Sequence, residues 1–417
     1  MRYIIRGNKP IRGKVRISGS KNSALAIIAA SLMLKDKTIL RNVPDIEDIN
    51  IMIKIVNSFG SQTSFINNTL TIYPLIKNNN PPKELCSKIR GSLYFIAPLL
   101  SSNNKVIISR PGGCGFGSRP IDFHLDILKK MGATVNEKED YILIRKTKLN
   151  GVDIILPYPS FGATVNFLLL ALITDSQSSI RNYAKEPEIF DLINFLKIAG
   201  ADIIIKDDKM IVKPLNQKDK IVDYSVMPDR IEAFTFLVAA ALTNGEIEIQ
   251  NCNPKHLKFP LRIIKELSYE PLIYNNSIYL NCSYDIENQL NKVNIKTSPY
   301  PGFPTDLQPI ITPLFAKLKE TSKMTDTVFQ ERFAYLSELE KFGVVYSLDK
   351  NTITIFPSYF QSSNVSCLDI RAGAALVLVA LASPGISEIS NIEKIQRGYE
   401  NFDKKLRSLG AEISIIA

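Results

Sequence analysis

The chain has 417 residues, 45% of them hydrophobic, with no tryptophan, five cysteines and a formal net charge of +10. That length exceeds one core of ordinary size, so two domains of about 200 residues are expected, and the composition is that of a globular protein, neither disordered nor fibrous. Apolar runs such as Ala24 to Leu34 fall short of the roughly 20 residues that span a bilayer, and the opening Met1-Arg2-Tyr3-Ile4-Ile5-Arg6 lacks the apolar core of a signal peptide.

Excess positive charge raises the question of nucleic acid. The lysines are scattered, often beside Asn and Ile, and form no stripe interleaved with aromatics, so a small anionic substrate or a solvated basic surface fits better. The cysteines, Cys86, Cys114, Cys252, Cys282 and Cys367, are odd in number, widely spaced and without a C-x-x-C pair. They predict no disulfide framework, no metal site and a reducing, cytoplasmic setting, while the short apolar runs predict no membrane association. Nothing in the sequence signals an oligomeric state.

In chain order, long amphipathic segments end in a short phrase centred on glycine: Phe59-Gly60-Ser61, Met131-Gly132-Ala133, Ala199-Gly200-Ala201, Phe342-Gly343-Val344 and Leu409-Gly410-Ala411, with a degenerate copy at Leu267-Ser268-Tyr269. The central residues 60, 132, 200, 268, 343 and 410 are spaced by 72, 68, 68, 75 and 67, so six units of about 70 residues make two domains of three. The glycine suits the left-handed residue that ends a helix. Alternating apolar residues around Asn67-Asn68, Glu139-Asp140, Asp207-Asp208, Asn275-Asn276 and Lys350-Asn351 then predict a hairpin in each unit.

Half a unit out of phase run six almost wholly apolar segments: Ala24 to Leu34, Leu93 to Leu100, Val165 to Ile173, Ala233 to Leu242, Ile310 to Ala316 and Ala374 to Ala382. A helix apolar on all sides is buried on all sides, so these are predicted to be central helices with sheets around them. Pro98 and Pro313 interrupt two of them. A strand is expected after each: Thr38 to Val43, Lys105 to Ser109, Ser179 to Tyr183, Ile247 to Cys252, Thr325 to Phe329 and Ile386 to Ile392.

What precedes the buried helices carries the chemistry. They open on Lys21-Asn22, Arg90, Ser160-Phe161-Gly162, Asp229-Arg230-Ile231-Glu232, Asp306 and Arg371. A lone Asp or Ser there fits a helix cap as well as a ligand site. Lysine or arginine opposes the helix dipole, so Lys21, Arg90 and Arg371 point instead to a shared, highly anionic ligand. The stretch Pro111-Gly112-Gly113-Cys114-Gly115-Phe116-Gly117-Ser118-Arg119-Pro120-Ile121-Asp122 fits two descriptions. It is either a glycine loop with an incidental thiol or a loop whose backbone and arginine fork close on an anion.

These segments, together with Glu186-Pro187-Glu188, Phe303-Pro304-Thr305-Asp306, Thr327-Val328-Phe329, Arg332-Phe333 and Arg397-Gly398-Tyr399, resemble the enolpyruvyl transferases from the first strand to the last. The resemblance implies an α/β fold, an inside-out α/β barrel of two domains, each of three repeated βαβαββ-type units with buried central helices. One domain would hold 20–228 with the Cys114 loop. The other would hold 1–19 plus 229–417, completed by the N-terminal strand.

It also implies transfer of the enolpyruvyl group of phosphoenolpyruvate to the 3′-hydroxyl of UDP-N-acetylglucosamine, with release of phosphate through a tetrahedral intermediate and no cofactor. By the same resemblance Cys114 is the proton donor, carries a cysteinyl-pyruvate adduct and reacts with epoxides such as fosfomycin, its loop closing over the sugar nucleotide. Asp306 is the base. Lys21, Asn22, Arg119, Arg371 and Arg397 hold phosphoenolpyruvate. Arg90, Arg119, Pro120, Ile121, Asp122, Phe123, Tyr158, Pro159, Ser160, Phe161, Asp306 and Val328 surround the sugar nucleotide, with Arg230 and Arg332 as weaker candidates. With those roles filled, His124 reads as a structural histidine. The sister branch acting on shikimate 3-phosphate carries Lys-Ser where this chain has Lys21-Asn22 and lacks the Pro-Gly-Gly-Cys loop, which favours the amino-sugar branch. A non-catalytic descendant binding a sugar nucleotide is the other alternative, and the joint presence of Lys21, Cys114, Asp306 and Arg397 speaks against it.

Overall fold

Six helices lack a polar face, and each is buried over nearly its whole length: Lys21–Ser31, Ile96–Ser102, Phe161–Ala171, Arg230–Leu242, Gln308–Phe315 and Ile370–Ala382. Each fully buried Leu or Ile side chain contributes roughly 1.5–3 kcal/mol. These helices therefore anchor the two hydrophobic cores into which the chain divides. The computed structural model describes residues 1–112, 120–216, 220–283, 291–329 and 332–416. Among these, one unit comprises 19–112 and 120–227, the other 1–18 and 228–416.

The second and fifth buried helices differ from expectation at their starts. Each opens as a 3-10 turn, Arg90–Phe95 and Thr305–Leu307, before becoming α-helical at Ile96 and Gln308. The switch places Pro98 in the first turn of its α-helix, where a missing N–H costs least. Pro313 stays inside its helix.

Three sheets serve each unit among the described residues, five of the six having four strands and one three. They remain separate ladders, so the fold is inside-out in placing helices within sheets and is not a hydrogen-bonded barrel. In five ladders the strand after a buried helix pairs in parallel with one neighbour and antiparallel with another, which in four of them is a hairpin strand. The last ladder borrows its central strand from the chain start: Arg2–Arg6 runs antiparallel to both Ile386–Ser390 and Glu412–Ile416. Two parallel partners are exchanged in sequence, since Arg12–Arg16 pairs with Glu246–Gln250 and Val222–Ser225 with Thr38–Arg41.

The repeating glycines behave as the helix-ending pattern requires. Gly60, Gly132, Gly200, Gly343 and Gly410 all have φ between 89° and 107°, and Ser268 of the degenerate copy takes φ 70°. A second repeat acquires its meaning in three dimensions. Asn42, Asn182, Asn251 and Asn391 each follow the strand after a buried helix with φ between 51° and 57°. Each donates its side-chain amide across to the parallel neighbour, to Val226 O, Leu156 O, Ile17 O and Ser366 Oγ at 2.7–2.8 Å. The two copies without this asparagine have Arg110 and Asp326 at the equivalent point.

Asp326 accounts for one correction. The strand predicted over Thr325 to Phe329 lies at Ser322–Thr325. It stops there because the buried carboxylate of Asp326 accepts the N–H groups of Val328 and Phe329, both at 2.9 Å, and folds the chain into a turn. No helix among the described residues is long and apolar enough to cross a membrane, and none of their His, Cys, Asp and Glu side chains cluster in a way that could hold a metal ion.

Candidate active site

In the unit formed by 19–112 and 120–227, the first buried helix begins at Lys21. Ser20 caps it by accepting the Ser23 N–H. Gly19 ahead of it has no room for a side chain, since a Cβ would lie 1.7 Å from Asn42 O. Ser20 N–H donates to Met227 O at 2.7 Å. Below the cap, the buried carboxylate of Asp191 accepts the Ser23 hydroxyl, the Tyr224 hydroxyl at 2.6 Å and the Met227 N–H at 3.2 Å, and burial raises its pKa. The helix start is thus fixed from two directions. Lys21 Nζ lies 3.2 Å from Asp48 Oδ2, with the two side chains only 12% and 6% exposed. Asn22, beside it, is half-buried.

Arg90 opens the second buried helix and donates through Nη2 to Pro120 O at 2.8 Å. That bond ties it to the segment Pro120-Ile121-Asp122-Phe123, which leads into the helix Asp122–Lys130. The third buried helix is capped by Ser160, and Tyr158, Pro159, Ser160 and Phe161 are all half-buried at its start. His124 is 3% exposed; burial, and then the Arg90 charge, push its pKa down to about 3, so it is neutral at physiological pH. Gly112, the last described residue before the cysteine loop, has no room for a side chain, because a Cβ there would lie 1.4 Å from Ser87 O. Cys114 and Arg119 themselves, with the expected closing of their loop, lie outside the described residues.

The unit formed by 1–18 and 228–416 brings together a second group. Asp306 sits on the 3-10 turn Thr305–Leu307, 31% exposed, between two buried guanidinium groups. Arg332 Nη1 donates to its Oδ1 at 2.8 Å, and Arg371 Nη2 lies 3.6 Å from its Oδ2. Asp326 locks the surroundings by accepting the Thr305 hydroxyl at 2.7 Å and the Thr297 hydroxyl at 2.8 Å. Val328 follows on the turn that Asp326 makes. Neither Asp326 nor the pairing of Arg332 with Asp306 was expected from the sequence; a missing asparagine in the repeat is the signal that points to Asp326.

Arg371 belongs to the first turn of the sixth buried helix, whose cap Asp369 accepts the N–H groups of Arg371 and Ala372 at 2.8 and 2.9 Å. Its guanidinium stands over the Tyr399 ring, 5.0 Å from the centroid. Burial opposes its charge, yet Tyr399, Asp306 and Asp229 outweigh that and raise its pKa. Nη1 is buried with no hydrogen-bond partner among the described residues. Arg397 follows the short helix Glu393–Gln396. Gly398 lets that segment reach the sixth helix, for a Cβ there would lie 2.4 Å from Ile370 Cγ2. Arg230, buried, stacks over Tyr300 at 5.5 Å in the fourth buried helix.

The chain matches the family model described as EPSP synthase (3-phosphoshikimate 1-carboxyvinyltransferase) over residues 5–406. It is 38% identical over 413 residues to a UDP-N-acetylglucosamine 1-carboxyvinyltransferase 1 of Caldanaerobacter subterraneus subsp. tengcongensis, covering 99% of both chains. It is 40% identical over 420 residues to one of Legionella pneumophila, covering 99% of this chain and 82% of that one. Among solved structures, the enolpyruvyl transferase NikO from Streptomyces tendae superposes with a TM-score of 0.90 at 22% identity, covering 99% and 98% of the two chains. An EPSP synthase of Acinetobacter baumannii gives 0.74 at 18% identity, covering 99% and 100%. With a family model spanning nearly its whole length and full-length relatives this similar, the chain belongs to the enolpyruvyl transferase family.

Proposed function

We propose that this enzyme transfers the enolpyruvyl group of phosphoenolpyruvate to the 3′-hydroxyl of UDP-N-acetylglucosamine and releases phosphate, the first committed step of peptidoglycan synthesis. The observation that carries the reading is full-length similarity to relatives bearing that activity in their names. The four described cysteines are free and buried, in keeping with a reducing cytoplasmic setting.

In this reading the hydroxyl oxygen attacks C2 of phosphoenolpyruvate while Cys114 gives a proton to its methylene carbon, forming the tetrahedral intermediate. Loss of a methyl proton and of phosphate then restores the vinyl group. Asp306 takes the hydroxyl proton, and an acid and a base of this kind are each worth roughly 10²- to 10⁴-fold. Arg332 orients that carboxylate through its bond to Oδ1, leaving Oδ2 on the Arg371 side. Lys21, Asn22, Arg119, Arg371 and Arg397 hold the phosphate and carboxylate of phosphoenolpyruvate, and the buried Nη1 of Arg371 is a donor suited to a carboxylate oxygen. Arg90, Pro120 to Phe123, Tyr158 to Phe161 and Val328 surround the sugar nucleotide.

The test is phosphate release from phosphoenolpyruvate with UDP-N-acetylglucosamine or shikimate 3-phosphate as acceptor. Release with the sugar nucleotide alone is expected. Release only with shikimate 3-phosphate would reassign the acceptor, and release with neither would make the chain a binding protein.

A further inference from the structure

Between the helix Asp122–Lys130 and the third buried helix lies a contact that the proposed chemistry leaves unused. His124, in the first turn of one helix, has Nδ1 2.6 Å from the side-chain amide nitrogen of Asn166 in the other. The far edge of the ring faces the opening turn of that second helix. A Cβ on Gly162 would lie 2.9 Å from Cε1 and 3.0 Å from Nε2 of His124. The ring therefore occupies the space that any side chain at position 162 would need. It is pinned at one edge by Asn166 and stopped at the other by the Gly162 backbone.

We propose that His124 is a positioning residue whose ring sets the spacing between Pro120–Phe123 and the Ser160-Phe161-Gly162 turn, and thereby the grip on the sugar nucleotide but not on phosphoenolpyruvate. The inference rests on the reading above for those two segments. Three observations support it. The ring bridges the two helices that follow those segments. Arg90, bonded to Pro120 O at 2.8 Å, fixes the same segment at its other end. The imidazole is neutral, so it stands beside the Arg90 cation without repelling it.

Steady-state kinetics with both substrates varied, alongside melting temperatures, test this on the full chain. His124→Ala is expected to raise KM for UDP-N-acetylglucosamine by about 10-fold or more while kcat and KM for phosphoenolpyruvate stay unchanged, since small misplacements of a positioning group are costly. His124→Gln, which keeps a partner for Asn166, restores most of that loss. Gly162→Ala, forced against the ring, raises the same KM, and the double variant Gly162→Ala/His124→Ala is better than Gly162→Ala alone because the methyl takes the vacated space.

An unchanged KM for the sugar nucleotide in His124→Ala would overturn the proposal. So would an equal loss in kcat and both KM values, or strictly additive effects of Gly162→Ala and His124→Ala on KM. Should His124→Ala fold poorly, His124→Gln and the double variant carry the test. Failure of the underlying reading shows up separately, as a wild-type chain that releases no phosphate with the sugar nucleotide.

Discussion

The two units share a plan of three buried helices but hold their cations in different ways. In the unit of 19–112 and 120–227, Lys21 meets the Asp48 carboxylate at 3.2 Å, and Arg90 meets the backbone carbonyl of Pro120. In the unit of 1–18 and 228–416, two arginines, their side chains 3% and 4% exposed, converge on the one carboxylate of Asp306. A lysine on a flexible stem is a point charge that can follow a ligand, whereas planar guanidinium groups locked by packing present fixed donors whose desolvation cost folding has already met. The first unit is thus built to adapt, and the second is preorganised. Substitutions in the second should accordingly cost more.

The largest effect is expected at Asp306. Asp306→Asn removes the proton acceptor while keeping its shape, and kcat should fall roughly 10²- to 10⁴-fold with little change in either KM, as steady-state kinetics would show. Arg371→Lys keeps the charge but loses the fork and the stacking on Tyr399. The loss in kcat/KM for phosphoenolpyruvate should be on the order of 10²-fold, in line with removal of one preorganised donor. In the adaptable unit, Asp48→Asn should raise KM for phosphoenolpyruvate only about 10-fold, the equivalent of about 1.4 kcal/mol, with kcat retained. If Asp48→Asn proved more damaging than Arg371→Lys, the contrast between the units would be reversed.

A last expected effect, read in stability and not in turnover, concerns acid, and each unit holds one of the two histidines. Burial, followed by a neighbouring arginine, lowers His124 to about 3 and His256 to about 4. A group whose folded pKa lies below its unfolded value binds more protons when unfolded, so its contribution is complete above about pH 6.5 and is lost as pH falls through that value towards the folded pKa. For His124 this amounts to about 2 kcal/mol by pH 5. His256, half-buried, acts in the same direction over the same pH range, since pH 5 still lies above its folded pKa. Melting temperatures measured from pH 7 to pH 5 should fall less steeply in His124→Gln and in His256→Gln than in the wild type. Equal slopes in all three would remove the histidines from the account.

Much of this architecture is legible in the sequence because it rests on local periodicity. Runs apolar on every side announce the buried helices, and a glycine every 70 residues or so marks the helix ends, with Ser268 taking the same backbone conformation at the one copy that lacks it. The supporting groups are a different matter. Asp48 is 27 residues from Lys21 and Asp191 is 168 from Ser23, and no pattern along the chain joins such partners. Asparagine in four of six repeats was visible in the sequence, but its meaning depends on a hydrogen bond to a strand far away in the chain. The two repeats that depart from it lead into the Cys114 loop and the Asp326 turn. There the chain gives up a structural device at the very segments the family resemblance assigns to chemistry, as expected where function overrides local regularity.

The most direct test of the central claim is proton NMR of the enzyme mixed with phosphoenolpyruvate and both acceptors in equal amounts. New vinyl protons attached to UDP-N-acetylglucosamine are expected, growing in step with the phosphate released. Vinyl protons on shikimate 3-phosphate, or consumption of neither acceptor, would contradict the claim.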